Sequence, residues 1–234
     1  MGVVLPTEKK TADTGFPDRA SWLVFGAPKV GKTSFAAQWP ECLILDLEND
    51  GTRYIEGAYV APVQSLGELR DVMAQLAKMD SDESLPYQTI AIDTIDVVND
   101  WAEEETCREL KLKQMGEANY GLDWGQARNT TLNVIRAFAK LPVNLLVVSH
   151  SRWAIVNEVA VGHTIDLPGK LARFTMAEVE NIIFIQSDRD GDRSLIFRPI
   201  NSIEAGSRHP VLASAGECEF GYDALRALFE EGNE

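Results

Sequence analysis

Residues 26–33 read GAPKVGKT, a full match to G-x-x-x-x-G-K-[ST]. A lysine followed by a hydroxyl residue, set behind two glycines, is chemistry for holding a polyphosphate. Gly26 and Gly31 let the backbone turn tightly, so successive N–H groups point inward at phosphate oxygens. Gly26, Ala27, Pro28, Lys29, Val30, Gly31, Lys32, Thr33 and Ser34 therefore make up the expected cradle. Within it Lys32 bridges the β- and γ-phosphates and the Thr33 hydroxyl ligates Mg²⁺. Lys29 falls in the variable part of the pattern and is expected to face solvent. The loop lies between an apolar run, SWLVF, and a helix start, TSFAAQW, the context the mechanism requires.

A phosphate loop needs an acid from a second strand to hold the metal. Asp93, closing TIAID, is the expected residue; Asp96 is its rival but lies past the strand, on the following helix. Hydrolysis also needs a group that activates water. Glu48 ends LILDLE on a strand of its own, and Asp46, alternating onto the same side, competes for that role. Ser149 and His150 end a further apolar run, VNLLVVSH, where a polar group can sense the γ-phosphate.

These residues must be positioned by a sheet. Short apolar runs (21–25, 42–48, 87–93, 143–150, 181–186) alternate with helical spacing at 65–79, 97–112 and 126–141, which argues for a mostly parallel sheet covered on both faces. The expectation is an N-terminal arm over 1–20 and one α/β domain over 21–234. The chain has 234 residues, 45% hydrophobic and 25% charged, with a formal net charge of −14. That charge excludes binding nucleic acid by overall attraction, though not by a local basic surface. The cysteines, Cys42, Cys107 and Cys218, show no C-x-x-C spacing, so a reduced, cytoplasmic location is expected. No apolar run reaches the ~20 residues of a membrane span, and the first residues lack the layout of a signal peptide.

The P-loop, the acid pair Asp46 and Glu48, Asp93-Thr94 and the polar strand end before a long segment together resemble the RecA-type recombinase core, from about Ser21 to Leu212. Within that group the segments LILDLENDGTRYI, YGLDWGQARNTTLNVI, LLVVSHSRW and AGSRHPVL resemble short phage-encoded RecA-core ATPases of single-strand annealing and recombination. The resemblance implies a RecA-like P-loop fold with a C-terminal β-hairpin edge, hydrolysis of ATP with Mg²⁺, and Glu48 as the water-activating glutamate. It implies Ser149–His150 as the γ-phosphate sensor, although His150 stands where RecA has Gln. It also implies single-stranded DNA as partner, a ring or filament of copies, a single-strand-binding protein as a further partner, and the host cytoplasm as location.

In RecA-like proteins the segment after the sensor strand meets DNA. Here it is residues 151–176, where Arg152, Lys170 and Arg173 would pair with phosphates and Trp153 or Phe174 would stack on bases. The run VNEVAVGHTIDL equally reads as an ordinary hairpin. Arg108, Lys111 and Lys113 with Tyr120 and Trp124 form a second candidate. Arg208, in AGSRHP, resembles the position from which such proteins send a cation into a neighbour's active site. Phe16 reads as local packing of the arm. DRDGDRS suggests a calcium loop, but its glycine is fourth rather than sixth, so it reads as a hairpin turn. The competing functions are a P-loop kinase and a nucleotide-gated adaptor that loads a helicase.

Overall fold

The computed structural model describes residues 7, 9–11, 14–48, 51–156, 158–199 and 203–231; the rest of the predicted arm lies outside them. The strands are β1 (Ser21–Gly26), β2 (Cys42–Asp46), β3 (Tyr59–Pro62), β4 (Thr89–Asp93), β5 (Asn144–Val156), β6 (Val159–Ile165), β7 (Asn181–Ser187), β8 (Arg193–Ile196), β9 (Gly206–Ser207) and β10 (Glu217–Glu219). The helices are α1 (Lys32–Ala36), α2 (Leu66–Ser81), α3 (Ile95–Leu110), α4 (Leu122–Phe138), α5 (Gly169–Glu178), α6 (Pro210–Ala215) and α7 (Tyr222–Glu231).

The strand order is β10-β8-β7-β1-β5-β4-β2-β3, with β6 beside β5 and β9 beside β7. Strands β7, β1, β5, β4, β2 and β3 run parallel. β8, β9 and β10 close one side in antiparallel register. This is the expected fold: a mostly parallel α/β sheet with an antiparallel hairpin edge.

Alternation along the buried strands sends side chains to two cores. Leu23, Phe25, Ile90, Ile92, Leu145 and Val147 join residues of α2–α5 in one core. Trp22, Val24, Ala91 and Leu146 join α1, α6 and α7 in the other. A strand covered on both faces must be apolar at every position, which is why β1, β2 and β4 read as continuous apolar runs.

Several elements differ from the sequence expectation. α4 begins at Leu122, four residues before the periodic segment expected at 126–141, because Asp123 is buried and accepts hydrogen bonds from the Gly116 and Trp124 N–H groups, tying the preceding turn to the helix start. Strand β3 was not expected. It is a four-residue edge strand whose residues, YVAP, are apolar but largely exposed, and the run is short and closes on Pro62, which reads against a strand. The segment 151–176 is not an open loop. β5 runs on past His150 and pairs with β6 as a hairpin arm, and α5 follows.

The arm is stitched to the sheet by Asn144. Its Oδ1 accepts from the Ala20 N–H (3.0 Å) and the Trp22 indole (3.2 Å), and its Nδ2 donates to the Asp18 carbonyl (3.2 Å). Phe16 packs among Trp22, Trp39, Tyr222 and Phe229, with the Phe229 ring 5.0 Å away.

Candidate nucleotide site

Strand β1 ends at Gly26, and the chain turns through the P-loop into α1. A Cβ on Gly26 would stand 2.8 Å from the Ile185 carbonyl oxygen, so that position accepts only glycine. Gly31 has φ of 104°, in the left-handed region, and its Cβ would run into the Arg193 guanidinium and approach Phe220 to 3.4 Å. Lys32 is buried, and its Nζ donates to the Gly26 (3.2 Å) and Ala27 (3.1 Å) carbonyls. Burial lowers the pKa of its ammonium, against the opposing pull of Asp93, Glu48 and Asp96. Lys29 is exposed, as expected.

β4 delivers Asp93 beside the loop. The Thr33 hydroxyl donates to Asp93 Oδ2 at 2.6 Å, which joins the two oxygen groups expected to hold a metal. Asp93 is 5% exposed, and loss of water raises its pKa to about 6, the Thr33 hydrogen bond opposing and Glu48 adding to the rise. A hydroxyl beside a carboxylate is a hard-oxygen pair of the kind Mg²⁺ accepts together with phosphate oxygens.

Glu48, just beyond β2, reaches the same edge. Its Oε1 accepts from the Thr94 hydroxyl at 3.3 Å and lies 3.6 Å from His150 Nδ1. Asp46, paired in register with Asp93, is buried; it accepts from the Glu48 N–H (3.2 Å) and the Thr52 hydroxyl (2.6 Å), and its charge adds to the rise at Asp93. Asp96, in the first turn of α3, accepts from the Ser149 hydroxyl (2.6 Å) and the His150 N–H (2.8 Å), and its Oδ2 is 3.0 Å from His150 Nδ1. That contact raises the pKa of the His150 ring. Asp96 thus holds Ser149 and His150, contacts its sequence position did not show.

One arginine stands at the P-loop although its sequence position gave no reason to place it there. Arg193 opens β8, and its Nη1 is 3.5 Å from the Val30 carbonyl oxygen. In the sequence it sat inside DRDGDRS, which does form the expected turn, with Asp188 accepting from the Asp190 and Asp192 N–H groups. Strand pairing across β7 and β1, which no local pattern encodes, places the end of that turn against the P-loop.

The proposed DNA residues are divided. Arg152 donates to the Ile165 (3.3 Å) and Leu167 (2.8 Å) carbonyls, so its guanidinium braces its own hairpin. α5 carries Lys170 into a cleft with Tyr120, Trp124 and Arg128, and Arg173 into a separate hollow with Arg152 and Trp153. Tyr120, Trp124, Trp153 and Phe174 are all exposed. The structure thereby joins Lys170 to the two aromatic residues of the second sequence candidate. Arg208 is exposed and donates to the Ala177 carbonyl (2.9 Å). It follows β9, which pairs with the amino end of β7, at the opposite end of the sheet from the P-loop.

Residues 18–209 match the family model described as an AAA domain. A curated relative, the SPbeta prophage-derived uncharacterized protein YorG of Bacillus subtilis (strain 168), is 22% identical over 129 residues. That alignment takes in 55% of this chain and 40% of YorG, so the chain spans about two fifths of the relative's length. Among solved structures, the KaiC-like protein PH0186 of Pyrococcus horikoshii OT3 aligns with a TM-score of 0.47 at 14% identity, over 83% of this chain and 85% of that one. The RadB recombinase aligns with a TM-score of 0.48 at 16% identity, over 82% of this chain and 83% of that one.

Proposed function

Because the chain belongs to the AAA domain family, we propose that it is a Mg²⁺-dependent ATPase with a RecA-like core that acts on single-stranded DNA in recombination or annealing, as an assembly of copies. The observation that carries the reading is the convergence of Lys32, the Thr33–Asp93 pair and Glu48 at one sheet edge, with Glu48 linked to the sensor His150.

In this reading Lys32 and the P-loop N–H groups hold the β- and γ-phosphates. Thr33 and Asp93 would hold Mg²⁺, which would supply neutralisation of charge on the phosphate oxygens. Glu48 takes the proton of the attacking water. Attack forms an oxygen–phosphorus bond and breaks the bond from the γ-phosphorus to the β–γ bridging oxygen, so ADP and phosphate leave. His150, whose raised pKa favours its cationic form, donates to the γ-phosphate and reports its loss. Its strand, β5, continues directly into the hairpin arm beside α5, where Lys170 and Arg173 would meet DNA phosphates. Arg208, a sheet length away from its own P-loop, would serve only a neighbour's site.

The kinase alternative needs an arginine-rich lid. Among the described residues Arg193 reaches the P-loop, while Arg198 lies against Gly216 and Arg208 at the far end of the sheet, which favours hydrolysis. The test is ATP hydrolysis with and without single-stranded DNA at two salt concentrations. DNA stimulation that weakens with salt is expected; turnover indifferent to DNA would refute the recombination reading.

A further inference from the structure

The P-loop and its acids account for the triphosphate half of a nucleotide. The nucleoside half needs a surface beside the loop, and the β7–β8 hairpin supplies one. The Arg193 guanidinium carbon lies over the Phe220 ring, 3.9 Å from its centroid. Strand pairing fixes the two in register: the Phe220 N–H donates to the Arg193 carbonyl at 3.2 Å. Phe220 is backed in turn by Phe35 of α1, ring centroids 5.9 Å apart, and Phe35 is fully buried. The stack stands against Gly31, whose missing side chain opens the space it fills.

We propose that Arg193 and Phe220 form the platform on which the base of the nucleoside triphosphate stacks. The proposal rests on the reading of residues 26–34 as a nucleotide site. The guanidinium lies against Phe220, Gly31 and Val30, and Arg193 as a whole is exposed, so it offers solvent a planar, weakly hydrated cation beside the loop. That surface suits an uncharged aromatic ring more than a phosphate, which Lys32 already serves on the inner side of the loop. Arginine is required because a lysine ammonium keeps the charge but offers no plane to stack on.

The experiment compares binding of ATP with binding of inorganic tripolyphosphate, both with Mg²⁺, by calorimetry on the full chain. The variants are Arg193→Ala, Arg193→Lys and Phe220→Leu, with thermal melts to confirm folding. Arg193→Lys remains informative if Phe220→Leu fails to fold. The expected result is an ATP affinity lower by about tenfold in each folded variant, with tripolyphosphate affinity unchanged. Equal weakening of both ligands would overturn the proposal, since it would make Arg193 a phosphate contact or a brace for Val30. No change in either would place the nucleoside elsewhere. Wild-type protein that bound neither ligand would sink the nucleotide reading itself, and this proposal with it.

Discussion

Replacing Asp93 by Asn isolates the cost of keeping a carboxylate under the P-loop. Burial raises its pKa from 3.8 to about 6, so the folded chain binds a proton more tightly than the unfolded chain does. Between those two values the folded state holds more protons, and stability must fall as pH rises across that window. About 2 units at about 1.4 kcal/mol each makes the ionised carboxylate worth roughly 3 kcal/mol against the fold above pH 6. Asn is close to isosteric, carries no charge, and keeps an oxygen to accept from Thr33. Urea unfolding of both proteins from pH 4 to pH 8 should give nearly equal stabilities at the acid end. Above pH 6 the Asp93→Asn protein should be the more stable by up to about 3 kcal/mol, while Mg²⁺-dependent turnover is lost. Taking the difference removes His150, whose shift arises from Asp96 rather than Asp93. A difference independent of pH, or an Asn variant weaker at pH 8 than at pH 4, would refute the reasoning.

Other perturbations address single links. Glu48→Gln should leave ATP binding intact and lower single-turnover hydrolysis by at least about a hundredfold; unchanged turnover would remove Glu48 from the chemistry. Gly31→Ala should cost about 1–2 kcal/mol in urea unfolding, because a left-handed backbone gains a Cβ, and should also displace Arg193 and weaken ATP binding. Asp96→Asn should lower the His150 pKa, read by NMR titration of its ring protons. Because the wild-type value is raised, the stability from this contact is full below the unfolded histidine value and lost as pH rises through the folded one. The variant should therefore be weaker at pH 5.5 and nearly equal to wild type at high pH. Arg208→Ala should slow hydrolysis only at protein concentrations where copies assemble, seen by comparing turnover with light scattering.

The parts legible in the sequence were those written in contiguous residues. GAPKVGKT, TIAID and LILDLE each carry a loop or a strand end whose chemistry depends on a few neighbours, and the structure brings Lys32, Thr33, Asp93 and Glu48 to one edge. Apolar runs announced the buried strands because burial on both faces leaves no polar position. What was not legible depends on pairing across the sheet. Arg193 reaches the P-loop only because β7 lies beside β1, and Asp96 holds Ser149 because β5 lies beside β4. Strand β3 was missed because its apolar run is only four residues long and ends in Pro62, which reads as a break. Arg152 looked like a free cation in a presumed loop and instead braces a hairpin through backbone carbonyls that composition cannot reveal.

Strand β5 gives the molecule a single mechanical spine. Its first residue, Asn144, fastens the arm, its middle holds Ser149 and His150 against Asp96, and its last residues become the hairpin. No loop interrupts those 13 residues, and the pairing with β6 shifts register once, between Ala154 and Ile155, so the arm, the Ser149–His150 pair and the base of the hairpin share one frame. A one-residue insertion after Ser151 would leave Ser149 and His150 in place and turn the side chains that follow to the opposite face. Trp153 would leave its contact with His163, and Arg152 would lose the carbonyls it braces. A two-residue insertion would restore the faces but shift Arg152 and Trp153 two positions along β6. A longer or foreign tip therefore keeps these contacts only when residues enter β5 and β6 in matched pairs, or when an odd residue is absorbed in a bulge such as the one between Ala154 and Ile155.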